Sequence, residues 1–238
     1  MFPLKDDNPT EIKPLVTIGL IIFCIFIFFY QLSLSESENY ELIYQFGMKP
    51  NGLLSSQYSS NMITLFTSMF MHGSFLHLLG NMLFLWIYGN NIEDSMGHFR
   101  FFIFYIICGL AAAFLQAFIT PTSNIPMIGA SGAVSGILSA YLLLYPKARV
   151  STLVFVFLFI TVIRIPAGIL IIIWFLTQIV NANITDPNNP GVAWFAHIGG
   201  FCMGAILIPF FKKSSVKFFS SGKKLDNHKR YIKIRFRR

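Results

Sequence analysis

The chain is poor in charged residues. Only 12% of its 238 residues are charged, about half the fraction that is usual in soluble domains. Hydrophobic residues make up 55% of the chain, and the mean hydropathy is +0.63. The apolar residues fall in runs of roughly 20, the length that crosses the ~30 Å hydrocarbon layer of a bilayer. This composition excludes an ordinary soluble domain and predicts one compact membrane domain.

Cysteine and buried acid are scarce as well. The three cysteines lie inside apolar runs, which predicts small buried side chains and neither a disulfide framework nor a metal cluster: Cys24, Cys108 and Cys202. The ten acidic residues lie in tails, in loops or at the ends of apolar runs. A zinc site is the alternative that the histidines raise, but His72 and His77 are roughly 140° apart on a helix, and no H-E-x-x-H motif is present. We therefore expect neither a metal nor a cofactor.

Six membrane spans are predicted, at about 14–32, 68–89, 99–119, 130–146, 165–181 and 193–211. The stretch 150–180 is too long for one span and contains Arg164, whose charge is costly at bilayer depth. Arg164 is therefore assigned to the mouth of the fifth span, and residues 150–163 to an apolar loop that lies in the interface. The expected fold class is an all-α membrane protein built as a bundle of six transmembrane helices.

Basic residues are concentrated at one end of the chain. Eleven of the 18 Lys and Arg residues lie in 212–238, together with a single acid, Asp226. A nucleic-acid arm is the alternative, but a basic segment directly after a membrane span is more simply a cytoplasmic anchor on anionic lipid. The inner loops of a six-span arrangement are also the more basic ones, which predicts that both termini are cytoplasmic. The expected division is an N-terminal segment 1–13, a membrane domain 14–211 and a basic tail 212–238.

The most specific local signal is Gly129-Ala130-Ser131-Gly132 at the outer start of the fourth span. A serine between small residues has an uncrowded hydroxyl, and its amide at a helix N-terminus is free to stabilise an anion. A small-residue packing motif is the structural alternative. The motif makes Ser131 a candidate nucleophile.

A histidine lies in the sixth span, within Ala196-His197-Ile198-Gly199-Gly200. An ionisable group inside a span indicates function, with a hydrogen bond to a neighbouring helix as the alternative. Both spans run from outside to inside, so Ser131 and His197 should lie at similar depth. Small residues at four-residue spacing would let the two helices approach closely: Gly132, Gly136 and Ala140 on one, Ala196, Gly200 and Gly204 on the other. These features predict a Ser131–His197 dyad with no carboxylate as a third member.

His77 and Asn81 lie in the second span, four residues apart and therefore on one helical face. That span also enters from outside, so both side chains can reach the depth of Ser131. Together with the backbone amide of Ser131 they would form an oxyanion hole.

The three motifs, on spans four, six and two, resemble those of the rhomboid family of intramembrane serine proteases. The similarity covers roughly residues 60–211. It implies Ser131 as nucleophile, His197 as general base and His77 and Asn81 as oxyanion donors. Further motif positions would have structural roles: His72, Glu93, Gly129, Gly132, Gly136, Gly200 and Gly204.

The sequence departs from the family pattern at two places. Ile63 and Thr64 stand where many members carry a Trp-Arg pair, and Ser135 stands where some members carry an aromatic residue that stacks on the catalytic histidine. The resemblance otherwise implies cofactor-free hydrolysis of transmembrane protein substrates near the outer end of their helices. The loop 181–192 would form a mobile cap over the cavity, and the expected location is a bacterial inner membrane.

Two other functions remain open from the sequence. The first is a non-catalytic membrane chaperone or dislocation factor on the same scaffold, which a complete dyad disfavours. The second is a small transporter, which the lack of internal repeats and of buried charge disfavours.

Overall fold

The computed structural model describes residues 2–54, 62–156, 159–186 and 191–220. Helices dominate this part of the chain: α1 Leu15–Ser33, α2 Glu36–Phe46, α3 Pro50–Leu54, α4 Thr64–Thr67, α5 Phe75–Phe84, α6 Asn90–Met96, α7 His98–Ile119, α8 Ser131–Leu144, α9 Ala167–Ile184 and α10 Trp194–Phe211. A 3₁₀ turn, Ser68–Phe70, extends α4, and a π turn, Leu85–Gly89, joins α5 to α6. The strands are β1 Phe2–Asp6, β2 Arg149–Val156 and β3 Phe159–Pro166.

The membrane-spanning candidates agree with the all-α bundle expected from the sequence. Among the described residues, α1, α7, α9 and α10 are long and apolar enough to cross a bilayer. A further candidate is the broken pair Thr64–Phe70 and Phe75–Met96, whose halves are bent by 94°. The sixth apolar helix, α8, has only 14 residues.

The predicted bounds of the second span, 68–89, are wrong at both ends. The helix begins at Phe75 because Ser74 is its N-cap, with extended backbone and a side chain that accepts a hydrogen bond from the His77 amide. It continues to Met96 because its polar end is buried against other segments, where Glu93 accepts hydrogen bonds from the Val16 and Thr17 amides at 2.9 and 2.8 Å. The break in the helix is not evident from the sequence, because apolar residues lie on both sides of residues 71–74.

Helix α8 lies at the centre of the bundle, with eleven of its fourteen residues buried. It packs against both α7 and α10, which also contact each other, and small residues form both of its contacts. A Cβ atom added to Gly200 would overlap the carbonyl oxygen of Gly132, and one added to Gly204 would overlap that of Gly136. On the other side, Gly136 lies against Cys108 of α7. Backbone-to-backbone contact of this kind is the geometry that small-xxx-small stripes allow in membranes.

In the stretch 150–163, for which the sequence predicts an apolar loop in the interface, the described residues 150–156 and 159–163 lie in two paired strands. Strands β2 and β3 pair antiparallel from Arg149 opposite Pro166 to Val156 opposite Phe159, and β1 adds to the other edge of β2. The run is rich in Val, Ile, Thr and Phe, which favour strands, and Val150, Thr152 and Val154 alternate as buried positions. Strands are not predicted for this run because its apolar character also fits a membrane span or an interface loop.

The N-terminal segment is tied to the bundle through Asp6. Its carboxylate accepts hydrogen bonds from the Tyr141 hydroxyl of α8 at 2.7 Å and from Asn91 Nδ2 of α6 at 2.8 Å. Burial raises the pKa of Asp6 to about 6.

The C-terminal segment covers the same end of the bundle. The amides of Phe219 and Ser220 donate to the last carbonyls of α8, at Leu143 and Leu144, and the Lys213 ammonium donates to the Asp94 carbonyl at 2.7 Å. Both terminal segments therefore fix the helix ends that lie opposite the N-terminus of α8.

The glycine contact between α8 and α10 predicts that an added methyl group destabilises the protein at Gly200 but not at the exposed Gly19. Gly200→Ala should lower the free energy of unfolding by about 1–3 kcal/mol, because the added carbon meets backbone that cannot turn away. The matched control is Gly19→Ala on α1, where an added Cβ meets no atom within 4 Å. Thermal unfolding of the two detergent-purified variants measures the difference, and equal stability would mean that these helices do not meet at Gly200.

Candidate active site

Ser131 is the first residue of α8 and follows a turn that requires glycine. Gly129 has φ +121°, and a Cβ atom there would lie 2.6 Å from the imidazole Nε2 of His77. The Gly129 amide donates to the Ser68 carbonyl at 2.8 Å, and this bond connects the turn to the broken second span. As the first residue of a helix, Ser131 has a backbone N–H that no intrahelical carbonyl accepts.

His197 lies in the first turn of α10, directly opposite Ser131. Its Nε2 atom is 2.8 Å from Ser131 Oγ, and the residue is 8% exposed. Ala196 and Gly200, on either side of it, face Gly132 across the interface between α8 and α10. The close approach of the two backbones is what brings these short side chains within hydrogen-bond reach.

The second ring nitrogen of His197 has a partner that the sequence analysis missed. Nδ1 lies 2.8 Å from Oε1 of Gln178, which is 4% exposed on α9. Two tryptophan rings flank the imidazole: Trp174 at 5.9 Å and 36°, and Trp194 at 6.0 Å and 88° between ring planes. A signal was present, because Gln178 interrupts the apolar run of the fifth span 19 residues before His197.

Ser135, which stands in place of a stacking aromatic residue, makes its side-chain hydrogen bond within α8. It is fully buried, and its hydroxyl donates to the Ser131 carbonyl at 2.6 Å. The aromatic neighbours of His197 therefore come from α9 and α10 and not from α8.

His77 and Asn81 lie on one face of α5, as their spacing predicts, beside the turn that precedes Ser131. An added Cβ atom at Gly129 would lie 3.6 Å from Asn81 Nδ2 as well as close to the His77 ring. Asn81 is 8% exposed, and its Nδ2 group has no hydrogen-bond partner within the described residues. A buried amide donor without a partner in the described residues, beside the turn that leads into Ser131, is chemically available for an oxygen anion.

His72 is not on the helix of the second span, contrary to the sequence-based assignment. It lies in the break before α5, fully buried, and its ring stands edge-on to that of His77 at 5.1 Å. Its amide donates to the Gln31 side chain of α1 at 3.1 Å, which connects the first span to this segment. Glu93 lies at the other end of the bundle, where it binds the start of α1.

A cavity of about 720 Å³ contains these side chains. Ser131, His197, His77 and Asn81 all line it, together with Gly129 and residues of α7 and α9. Among the described residues, no group of three or more His, Cys, Asp and Glu side chains could hold a metal ion.

The expected cap over the cavity is only partly described. Residues 181–184 belong to α9 and not to a loop, because the helix continues to Ile184. Asp186, Gly191 and Val192 line the cavity, while residues 187–190 lie outside the described residues. The rest of the basic tail, 221–238, also lies outside them.

A family model and several individual proteins that are similar to this chain indicate the same family. The Rhomboid domain model matches residues 59–214. The chain is 30% identical over 159 residues to Rhomboid protein 1, mitochondrial, of Saccharomyces cerevisiae, covering 65% of this chain and 43% of that one. It is 32% identical over 130 residues to the Rhomboid protease GluP of Bacillus subtilis, covering 55% of this chain and 24% of that one.

A plant relative gives a similar match. RHOMBOID-like protein 6, mitochondrial, of Arabidopsis thaliana is 32% identical over 155 residues, or 60% of this chain and 43% of that one. The chain thus spans less than half the length of these curated relatives. Because the relatives include mitochondrial, plant and bacterial proteins, they do not support the expected bacterial inner membrane in particular.

The domain match covers most of the membrane bundle and all three motifs, and the family includes intramembrane serine proteases. This chain is a multi-pass integral membrane protein of the rhomboid family.

Proposed function

We propose that this chain is an intramembrane serine endopeptidase, with Ser131 as nucleophile and His197 as general base. The observation that carries the proposal is the 2.8 Å contact between Ser131 Oγ and His197 Nε2 within the cavity. A serine hydroxyl becomes nucleophilic when an adjacent base within about 2.6–3.2 Å can take its proton. The GluP relative, which bears the name of a protease, supports the same reaction class.

The proton transfers of the reaction involve these two side chains and water. Ser131 Oγ bonds to the carbonyl carbon of the scissile peptide while its proton passes to His197 Nε2. The C–N bond then breaks, and Nε2 gives the proton to the leaving nitrogen. Water next adds to the resulting ester, again through Nε2, and the ester C–O bond breaks so that Ser131 Oγ regains a proton.

The negative charge on the carbonyl oxygen requires donors, and three groups stand near the N-terminus of α8. The Ser131 amide is free of intrahelical bonding, while His77 and Asn81 lie across the Gly129 turn. The unpartnered Nδ2 group of Asn81 supports this role, because donors that are already oriented need no reorganisation when charge develops.

The proposed substrates are transmembrane segments of other membrane proteins. Helix α8 spans roughly 21 Å at 1.5 Å per residue, about 9 Å less than the hydrocarbon layer. If its C-terminal end reaches one membrane face, Ser131 lies beneath the opposite face. Cleavage would then occur near one end of a substrate helix, where unwinding it exposes a peptide bond to the cavity.

The orientation that we propose has both termini in the cytoplasm. The terminal segments cover one end of the bundle, and Lys212, Lys213 and Lys217 accumulate there in the described part of the tail. Positive residues are retained on the cytoplasmic side and attract anionic lipid. The division into an N-terminal segment 1–13, a membrane domain 14–211 and a basic tail 212–238 is proposed on the same grounds.

The dyad hypothesis predicts that Ser131→Ala and His197→Ala each abolish cleavage of membrane-anchored substrates by the purified protein. The double variant should be no worse than either single variant, because the two side chains act as a unit. Ser139→Ala is the matched control on the same helix; its hydroxyl donates to the Gly136 carbonyl, and cleavage should persist. Clear turnover by Ser131→Ala would refute the assignment. A chain that binds such substrates but never cleaves them would be the chaperone or dislocation factor instead.

The oxyanion hypothesis predicts a partial loss. Asn81→Ala should lower turnover by about 10²–10³-fold, the usual effect of losing one such donor, and a serine-directed phosphonate should still label Ser131. Asn183→Ala, at the far end of α9, removes an exposed amide of the same size and should leave turnover unchanged. Wild-type turnover in both Asn81→Ala and His77→Ala would exclude the role.

The orientation predicts opposite labelling of two introduced cysteines in a cysteine-free background. Thr185→Cys, after α9, should react with an impermeant thiol reagent added outside intact cells, and Leu225→Cys in the tail should react only after permeabilisation. The reverse pattern would overturn the proposed orientation.

A further inference from the structure

We infer that Gln178 is the positioning residue that sets the tautomer and the ring orientation of His197. The inference rests on the proposed function for its catalytic consequence. Its geometry is independent of that proposal, because it follows from the hydrogen bonds around one buried amide.

The amide of Gln178 can face His197 in only one way. Its Nε2 group donates to the Trp174 carbonyl at 2.8 Å and lies 2.9 Å from Thr177 Oγ1, both on α9. The Trp174 carbonyl is a pure acceptor, so turning the amide over would set two oxygens against each other. Oε1 is therefore the atom that faces His197 Nδ1 at 2.8 Å.

This orientation fixes the proton on the imidazole. A side-chain carbonyl oxygen cannot donate, so Nδ1 of His197 must carry the hydrogen. In the neutral ring, Nε2 then holds the lone pair, and Nε2 is the atom 2.8 Å from Ser131 Oγ. That tautomer is the one that a general base for Ser131 requires.

Gln178 thus supplies the orienting contact that a carboxylate supplies in a Ser-His-Asp triad, without a charge. Trp174, one turn earlier on α9, lies against the imidazole at 5.9 Å. One helix therefore provides both the hydrogen bond and the ring contact, and it accounts for how the imidazole is held although Ser135 is not aromatic.

The environment of Gln178 is consistent with a specific role. Seven of the 18 residues of α9 are exposed large apolar side chains, yet Gln178 is 4% exposed. A buried polar group costs free energy unless it is hydrogen-bonded, and a glutamine that merely joined helices could use any acceptor or donor on α10. Instead its contact to α10 is the imidazole.

The direct test is the position of the proton, which needs no activity measurement. Selective ¹⁵N labelling of histidine in the detergent-purified wild type should show His197 protonated on Nδ1 and unprotonated on Nε2, with the signal identified by its loss in His197→Ala. In Gln178→Met, which keeps the length but not the acceptor, the signal should show a mixture of tautomers. A wild-type proton on Nε2 would overturn the inference without any variant.

The catalytic consequence is tested by a pair of substitutions. Gln178→Met should lower kcat by about 10–100-fold, the range found when a group that orients a metal-binding histidine is removed, with KM changed little. Gln178→Glu, with its carboxyl protonated, keeps both an acceptor for Nδ1 and a donor for the Trp174 carbonyl, and it should remain within tenfold of the wild type. Loss of kcat in Gln178→Met with rescue in Gln178→Glu separates positioning from simple packing, and thermal unfolding shows that both variants are folded.

Gln116→Met is the matched control, because Gln116 is also buried and contacts α10, but through the Ala196 amide at 3.2 Å. It should leave the His197 tautomer unchanged. A Gln178→Met protein with wild-type kcat and tautomer would refute the positioning role, as would a folded Gln178→Glu protein impaired as strongly as Gln178→Met. Inactivity of the wild type with the expected tautomer would refute the proposed function alone.

Discussion

The backbone contact between α8 and α10 is the constraint on which the candidate site depends. In a bilayer, lipid is as apolar as the helices, so association depends on close packing and hydrogen bonds and not on the hydrophobic effect. Because Gly200 and Gly204 have no side chains, α10 packs directly against the carbonyl groups of Gly132 and Gly136. Serine and histidine have short side chains, and only backbones this close can bring Ser131 Oγ and His197 Nε2 to 2.8 Å. The stripe of small residues and the dyad are thus one structural feature.

Polar contacts at the opposite end of the bundle fix the other helices relative to α8 and α10. Glu93 is fully buried and accepts hydrogen bonds from the first turn of α1, while Asp6 binds both α6 and α8. These contacts anchor the long second helix at the end away from the cavity. The start of that helix, with His77 and Asn81, is instead positioned by the Ser74 cap and by the bond from the Gly129 amide to the Ser68 carbonyl. A site assembled from three helices therefore relies on polar contacts at both ends of the bundle.

Several sequence expectations succeeded because they depend on local chemistry. Helix bounds for five of the six spans agree with prediction to within about three residues, since apolar length fixes them. The second span was wrong by about seven residues at each end because its break at 71–74 and its polar end at 90–96 are stabilised by groups distant in sequence. Strands β2 and β3 were not predicted because their apolar run also fits a span or a loop, and the pairing of β2 with residues 2–6 joins segments that are distant in the sequence.

By itself, the sequence determined that this is a membrane bundle with a serine and a histidine at the starts of two spans, because composition, span length and small-residue spacing are all local properties. It also predicted a dyad without a carboxylate as its third member. Only the tertiary structure decided which group contacts His197 where a triad would have a carboxylate. Gln178 reaches His197 from a separate helix, and Trp174 and Trp194 enclose the ring from two directions. The partner of a side chain across a helix interface depends on the rotation and depth of each helix, and these are set by packing over the whole bundle.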